Sequence, residues 1–471
     1  MKPKKLDVAY SGNQEAISPI GTRYTTPMSK IFSEDSYIQS ILDVEAENVR
    51  VLSEMYPKKI PKKSAKKIRS IAKTDIVTAK EVREVEASKT HHEMGAVIRV
   101  MAEKAGADGR YVHFAMTSAD AVETAKAMQA SKAIGLLINS ASEARDACLK
   151  AALEWKDMPS ITRTHGQHAV PASFGFPFAF FGYCIQKSID RLKYDSKMCI
   201  EGKLSGAIGT YDVHTNEGID GAKVEAAVLG NLGIKRADMS LQTPPREGTA
   251  YLISDLAVLC GRIESIAAYI KTLKRTEILE LSEQPEESSI GSSAMPHKNL
   301  HGNPFIEERC MSIARVVRGY ALSSLESVMQ EDLRDLTSSL SDRIVLPESF
   351  ILSDYSCRLI RNVIERSEVM GDNVGRNLAY TKGATSSQLV MSRLISKGMQ
   401  RQKARDISFR DARTALEEGR DYLDLLLYDK EISGMFTKKE LEELCKPGSN
   451  LGRSKEIIDR IARKYLNKQR R

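Results

Sequence analysis

Residues 252–273 read LISDLAVLCGRIESIAAYIKTL, and their apolar side chains follow the most regular pattern in the chain. Leucine, isoleucine or another apolar residue recurs at alternating intervals of four and three residues. An average period of about 3.5 residues is the one at which helices pack knobs into holes. The members of this apolar seam are Leu252, Leu256, Leu259, Ile263, Ile266, Ile270 and Leu273. The seam predicts a long helix within residues 246–281, in the core of a helical bundle.

The rest of the chain also has the composition of long helices. Two runs, 62–158 and 348–446, contain no proline, and alternating β-branched residues are scarce. One helix is predicted from about Asp120 to about Trp155, with Asp120 and Glu123 at capping-box spacing. Another is predicted to start at Pro347. The predicted class is all-α, with three domains at 1–116, 117–369 and 370–471.

Composition places the chain among globular proteins of the cytoplasm. Hydrophobic residues make up 42% and charged residues 28%, as in soluble domains. No apolar run of about 18 residues would cross a membrane, and the basic N-terminus lacks the apolar core of a secretory signal. The seven cysteines are scattered and form no CxxC pair. This pattern predicts a reducing compartment, without disulfides or a zinc site.

The formal net charge of +8 allows two interpretations. Dense basic stretches occur only at 57–67 and in the tail KYLNKQRR, whereas elsewhere bases and acids are interleaved at helical spacing. These stretches are more typical of solvated faces than of a nucleic-acid surface, so no nucleic-acid partner is predicted. A positive field would also attract a small polyanionic substrate.

Residues 285–309, PEESSIGSSAMPHKNLHGNPFIEER, separate two predicted helices. A stretch of roughly 20 residues without periodicity is unusual in a compact helical protein unless it binds or covers a ligand. The alternative is an ordinary solvated serine-rich loop. Because the chain contains no glycine-rich phosphate loop, nucleotide-cofactor fingerprint or metal cluster, the chemistry is predicted to use side chains alone, without cofactor or metal.

Within this loop, residues 291–298 (GSSAMPHK) resemble the GSSxMPxK signature of the fumarase/aspartase superfamily. The following Asn303-Pro304 and residues 307–310 (EERC) resemble its adenylosuccinate lyase branch. Relative to the usual Lys-x-Asn-Pro pattern, about three residues are inserted, so either Asn299 or Asn303 corresponds to the family asparagine. The resemblance implies a three-domain fold with a central bundle of long helices, assembled as a homotetramer in which three subunits form each active site.

Three further motifs resemble the same family, although each has an ordinary structural alternative. Residues 164–167 (THGQ) match the motif that carries the general acid, but a loop histidine is seldom catalytic. Residues 90–93 (THHE) resemble an RHD-type motif and could equally be a polar turn. Residues 113–120 (HFAMTSAD) resemble a substrate-binding stretch and could equally be a simple helix cap, although a helix N-terminus is also a ready anion site.

The resemblance implies roles for five residues in catalysis. Ser292 would be the general base, which requires nearby positive charge and oriented N–H donors because a serine hydroxyl is a weak base. Lys298 and the loop backbone would supply these. His165 would be the general acid, Glu308 would orient or charge it, and His92 would reach the active site.

Substrate contacts follow from the same resemblance. Guanidinium groups suit carboxylates and phosphates because they bind them at two points. Residues 334–343 could alternatively be a charged surface turn. The implied contacts are Arg23, Tyr24, His91, His92, Glu93, His113, Thr117, Ser118, Gln242, Ser293, Asn303, Arg309, Arg334, Ser339 and Arg343.

The implied activity is elimination of fumarate from N-succinyl purine nucleotides, namely adenylosuccinate and the succinylaminoimidazole carboxamide ribotide (SAICAR) of purine synthesis. Argininosuccinate lyases and carboxymuconate cycloisomerases share the serine loop and remain alternatives, as does a non-catalytic helical scaffold. The RDLTSS stretch at 334–339 and the TSAD motif at 117–120 favour the purine enzyme. A turnover assay would distinguish these possibilities.

Overall fold

Long α-helices build most of the protein, as the sequence predicts. The computed structural model describes residues 18–283, 294–299 and 301–466. The first five helices are α1 (Pro27–Ile31), α2 (Glu34–Met55), α3 (Lys62–Ile71), α4 (Ala79–Val85) and α5 (Glu93–Ala105). The longest of them is α2, whose buried face joins the central core.

The central part contains the longest helices. They are α6 (Ser118–Glu154), α7 (Phe176–Met198), α8 (Asp212–Asn216), α9 (Gly221–Leu232), α10 (Glu247–Leu273), α11 (Phe305–Glu326) and α12 (Thr337–Arg366). Three small two-stranded sheets connect them. Strands β1 (Pro159–Thr164) and β2 (Gln167–Ser173) are antiparallel, β3 (Glu201–Gly202) and β4 (Lys235–Arg236) are parallel, and β5 (Leu281–Glu283) and β6 (Ser367–Val369) are antiparallel.

Shorter helices follow α12. They are α13 (Gly371–Ala379), α14 (Ser387–Ser396), α15 (Arg401–Glu418), α16 (Tyr422–Tyr428), α17 (Lys430–Ser433), α18 (Lys438–Cys445) and α19 (Ser454–Leu466). Residues 384–445 contribute a hydrophobic cluster of their own, whereas Ile458 of α19 belongs to the large central core. The domain boundaries at 116 and 369 stay a prediction.

The apolar seam lies where the sequence places it. All seven of its side chains are buried in α10, which packs against α7, α11 and α12. Each turn of the seam therefore buries apolar area in the same core. Burial of apolar area is the main stabilising term in folding. The prediction of a long core helix is confirmed.

Helix α6 matches its predicted length but begins differently. It covers 37 residues, and its first turn is closed by Thr117, whose backbone N–H donates to the Asp120 carboxylate at 2.8 Å. The predicted capping pair of Asp120 and Glu123 is therefore wrong. Both of these carboxylates are buried because each has an internal cationic partner.

Residues 164–168, which the sequence predicts to lie in a loop closed by Pro171, belong instead to the hairpin of β1 and β2. Its two-residue turn is His165-Gly166, with φ angles of 54° and 74°. Positive φ at both central residues matches the twist of the flanking strands, which stabilises a tight hairpin turn. The motif gives a weak strand signal because histidine and glycine interrupt the alternation.

Helix α12 begins at Thr337, ten residues before the predicted start, and contains Pro347. An internal proline removes one helical hydrogen bond and costs about 3 kcal/mol. Burial of Val345, Leu346 and Phe350 around it offsets that cost. The prediction of a helix start at Pro347 is therefore wrong.

In the described part of the chain, every helix is too short or too polar to span a bilayer.

Candidate active site

The segment that enters α6 carries His113, whose imidazole lies against a buried glutamate. One carboxylate oxygen of Glu45 lies 2.6 Å from His113 Nδ1, and the other accepts the His113 backbone N–H at 2.9 Å. Burial alone would lower the pKa of His113, but the hydrogen bond to Glu45 and the charges of Glu45 and Asp120 raise it. His113 is therefore protonated more readily than a free histidine, close to Thr117 and Ser118.

A buried ion pair supports the first turn of α6. Lys203 Nζ lies 2.7 Å from Asp120 Oδ1, and both side chains are fully buried. Asp120 also accepts backbone N–H groups, that of Thr117 among them, while Lys203 Nζ donates to the Gln242 carbonyl at 3.1 Å. The pair therefore holds the Gln242 loop against the end of α6 that carries Thr117.

The His91-His92-Glu93 motif lies where a π-helical turn, Glu86–Thr90, meets α5. His91 is left-handed, with φ 48°, and His92 caps α5 by accepting the Gly95 N–H at Nδ1, at 3.0 Å. Because Nδ1 accepts, neutral His92 carries its proton at Nε2 and can donate from there. Both imidazoles are exposed.

Glu93 joins this motif to α12. Its carboxylate accepts a hydrogen bond from Arg343 at 2.7 Å and a longer one from the Tyr37 hydroxyl at 3.4 Å. Burial raises the pKa of Tyr37, and the charge of Glu93 raises it further. The structure therefore brings together two predicted substrate contacts, Glu93 and Arg343, that are 250 positions apart.

Glu123, Lys126, Arg246 and Asp342 form what we call the charge cluster, between α6, α10 and α12. Arg246 donates to both oxygens of Glu123, at 2.8 and 3.2 Å, and lies 3.1 Å from Asp342. Burial alone would raise the pKa of Glu123, but Lys126 and Arg246 lower it to about 2. The cluster lines a cavity of about 50 Å³.

Arg334 lies beside the charge cluster with an incompletely paired guanidinium. Its Nε and Nη1 atoms are buried and have no hydrogen-bond partner in the described part of the chain. Burial lowers the pKa of Arg334, and the charge of Arg246 lowers it further. Leaving buried donors unpaired costs about 1–3 kcal/mol, so an anionic ligand would be favoured here. Ser339, half-buried, lies in the first turn of α12.

A second group of predicted contacts meets near the start of α11. The Arg309 guanidinium lies 5.9 Å from the centre of the Tyr24 ring and donates to the Tyr355 hydroxyl at 3.0 Å. The Tyr24 and Tyr355 rings are 5.5 Å apart, and Arg23 is exposed beside them. The Arg309 guanidinium and the two phenols therefore share one area, and such donors suit a phosphate.

Only part of the signature loop belongs to the described residues. Ser292 and Ser293 lie outside them. Lys298 is exposed, and Asn303 is half-buried just before α11. Glu308 pairs with Lys271 of α10 at 2.7 Å, so within one chain its partner is not His165.

His165 and the start of α6 are far apart in one chain. The 37 residues of α6 span about 55 Å. Thr117 lies at one end, and the hairpin that carries His165 follows the other. The eleven residues from Trp155 to His165, fully extended, could reach back at most about 37 Å, which still leaves about 18 Å between them and Thr117. His165 and Thr117 of the same chain therefore cannot act at one reacting centre.

Three predicted site histidines have left-handed backbones. His91, His113 and His165 have φ angles of 48°, 62° and 54°. Positive φ is uncommon outside glycine and tends to occur at functional sites, where the surrounding structure compensates for the strain. His165 is also exposed at the hairpin tip. The backbone thus distinguishes these histidines from ordinary surface residues.

Comparisons with known proteins identify the family. A lyase family model matches residues 21–319, and a model of the adenylosuccinate lyase C-terminus matches residues 383–461. The adenylosuccinate lyase of Pyrococcus abyssi is 34% identical over 97% of this chain and 99% of its own length. That of Methanocaldococcus jannaschii is 33% identical over 98% of each. The chain belongs to the adenylosuccinate lyase family.

Solved structures agree on the fold of this family member. A fumarate lyase from Mesorhizobium sp. BNC1 superimposes with a TM-score of 0.83 at 23% identity, over 92% of this chain and 97% of that one. A 3-carboxy-cis,cis-muconate lactonizing enzyme from Pseudomonas putida gives 0.83 at 23% identity, over 94% and 98%. The predicted superfamily fold and lyase class are confirmed.

The family motifs did not indicate several residues that shape the site. Glu45, Lys203 and the charge cluster hold the described residues of the candidate site in place. One signal for Glu45 was present, because it occupies a helical apolar position between Ile41 and Val49. A carboxylate on such a face is buried and needs a partner.

Proposed function

We propose that this protein eliminates fumarate from adenylosuccinate to give AMP, and from SAICAR to give the corresponding carboxamide ribotide, AICAR. Relatives named adenylosuccinate lyase, similar over nearly the whole chain, support this activity. So does the observation on which we rely most: the unpaired buried donors of Arg334 next to a cavity lined by charged side chains. The substrates carry both carboxylates and a phosphate, which such donors bind.

In the proposed reaction, Ser292 removes the proton from the carbon beside a carboxylate of the succinyl group. The electron pair delocalises into that carboxylate, then forms the carbon–carbon double bond as the carbon–nitrogen bond breaks. His165 delivers a proton to the departing purine nitrogen, so fumarate and the nucleotide leave separately. Lys298 supplies positive charge that stabilises both the alkoxide and the carbanion.

The remaining contacts divide into two areas. We assign phosphate binding to Arg23, Tyr24 and Arg309, supported by their proximity around Tyr355. We assign the contacts at the succinyl and purine end to a second set. Its members are His91, His92, Glu93, His113, Thr117, Ser118, Gln242, Ser293, Asn303, Arg334, Ser339 and Arg343. Glu308 would orient His165 across a subunit boundary, after exchanging Lys271 for the histidine.

We further propose a homotetramer whose active sites are shared between subunits. The separation of about 55 Å along α6 supports this arrangement, because one chain cannot bring His165 to Thr117. Exposed apolar side chains on the long helices support it too, since they need a covering surface. They are Tyr251, Val258, Val316, Leu322, Leu325, Leu340 and Ile344. Seven free cysteines support a cytoplasmic location.

The test is turnover of purified protein, followed by absorbance, with adenylosuccinate and SAICAR in separate assays. We expect both to be converted, with fumarate as the common product. Argininosuccinate and carboxymuconate serve as comparison substrates. Turnover of one of these in place of the purine nucleotides would assign the chain a different activity. Absence of turnover with all four, by a folded oligomer, would make it a scaffold.

A further inference from the structure

A buried ion pair joins the hairpin of His165 to the segment that precedes the signature loop. Arg163, two residues before His165, donates to both carboxylate oxygens of Glu280, at 3.0 and 2.6 Å. Glu280 is buried and Arg163 is half-buried. A bidentate pair between guanidinium and carboxylate fixes orientation as well as distance.

Glu280 is itself held from the opposite side by α13. Asn377 donates one hydrogen bond to the Glu280 carboxylate and one to the Ile278 carbonyl, both at 2.8 Å. Asn373 donates to the carbonyl of Leu279, whose φ is 43°. The Met370 N–H donates to the Glu280 carbonyl at 3.0 Å. Glu280 is therefore a fixed acceptor on a constrained turn.

Between Arg163 on β1 and His168 on β2, whose ring lies 5.8 Å from that of Tyr380, the hairpin tip has little support from the described part of the chain. The pairing of β1 with β2 shifts register between Ile161 and Arg163. Residues 164–167, which include His165, are all exposed. The direction in which the tip points thus depends on the two anchored side chains at its base, and on β1 that side chain is Arg163.

We infer that Glu280 is a positioning residue for His165, acting through Arg163. The inference rests on the proposed function, in which His165 is the general acid. A displacement of about 1 Å in an acid can cost a hundredfold in rate. Proton transfer requires a donor within hydrogen-bond reach of the leaving nitrogen. Glu280 would set that reach without contacting the substrate.

The experiment is a double-mutant cycle between Glu280→Gln and His165→Ala. Alone, Glu280→Gln should lower kcat by about 10- to 100-fold, with KM changed by less than about threefold. In the His165→Ala background, Glu280→Gln should lower kcat by no more than about twofold, because the group it positions is absent. Equal losses of kcat in both backgrounds would overturn the inference and leave a purely structural ion pair.

Asp146→Asn is the matched control, since Asp146 also pairs with a neighbouring guanidinium, that of Arg145, and is buried. It should leave kcat within about twofold of wild type. If Glu280→Gln does not fold, Arg163→Lys replaces it, because it keeps the charge opposite Glu280 but loses the second contact. Wild-type kcat in the folded Glu280→Gln variant, or in Arg163→Lys where that variant replaces it, would refute the positioning role. Full kcat in His165→Ala would instead refute the role of His165 as general acid, and absence of turnover by the wild-type protein would refute the proposed function itself.

Discussion

Arg343 on α12 donates a 2.7 Å hydrogen bond to the carboxylate of Glu93, which lies in the first turn of α5. The bond connects the stretch 334–343 to the motif at 90–93. The bond therefore argues against the alternative that residues 334–343 are only a charged surface turn. A salt bridge between partly exposed groups contributes only about 0–1 kcal/mol, so its main effect is to orient both side chains.

Arg334→Lys and Arg343→Lys should each lower kcat/KM, although both keep the positive charge. Lysine cannot reproduce the planar, two-point contact of a guanidinium with a carboxylate or phosphate. We expect a loss of at least about tenfold for each variant, or roughly 1.4 kcal/mol, in steady-state assays with adenylosuccinate. Arg413→Lys, in an exposed i,i+4 pair on α15, is the control and should retain wild-type kinetics. Unchanged kinetics in both variants would mean that Arg334 and Arg343 do not contact the substrate and belong to a charged surface turn.

Ser292→Ala should abolish turnover while leaving helix content and substrate binding nearly intact, because it removes the base and little else. Circular dichroism and calorimetric titration with substrate would establish folding and binding. Ser289→Ala, in the same loop, is the control. Retention of more than about a tenth of wild-type kcat, a barrier change under ~1.4 kcal/mol, would rule out Ser292 as the base.

A mixture of Ser292→Ala and His165→Ala chains should recover activity after joint denaturation and refolding. An intact site takes its serine from the histidine variant and its histidine from the serine variant. Random exchange in a closed symmetric oligomer gives about a quarter of wild-type activity.

Each variant refolded alone is the control, and mass spectrometry would verify chain exchange. If exchange is complete and the mixture is no more active than its components, both residues belong to one chain. The shared-site arrangement would then be wrong.

His113→Asn should cost stability in a way that depends on pH. The pKa of His113 is raised in the folded protein, so its interaction with Glu45 stabilises fully below the unfolded pKa of about 6.5. This stabilisation disappears as the pH rises through the folded pKa. Asparagine tolerates the left-handed backbone. We expect a free-energy difference on the order of 1 kcal/mol at pH 6, shrinking as the pH rises.

Thermal and denaturant unfolding at several pH values would measure this difference. His297→Asn, at an exposed position, is the control and should show no such trend. A difference between His113→Asn and wild type that is constant with pH would mean that folding leaves the pKa of His113 unchanged, and a difference that grows with pH would mean that folding lowers it. Either result would contradict the prediction.

The helical fold was predictable because its signal is repetitive. The seam of α10 repeats over six intervals, and each position contributes burial in the same direction. Pro347 misled the prediction because one residue's backbone preference is outweighed by the packing of a 30-residue helix. The hairpin was missed because its turn uses histidine, where asparagine or glycine would have been the usual signal.

The site was predictable only as far as its motifs extend. Motif spacing locates His165 and Arg343, but pairings such as Glu45 with His113 join positions 68 apart and leave no local pattern. Nor could spacing reveal that the length of α6 separates two predicted site residues of one chain, Thr117 and His165. Such relationships depend on three-dimensional packing, and periodicity over a few residues carries no information about it.

The left-handed backbone at His91 and His165 costs folding free energy at two positions to which we assign a role in turnover under the proposed function. Glycine at either position would relieve that strain, whereas at His113 it would also remove the contact with Glu45. Under the proposed function, a chain freed from the need for catalysis would therefore drift toward glycine at His91 and His165 before it did so at His113.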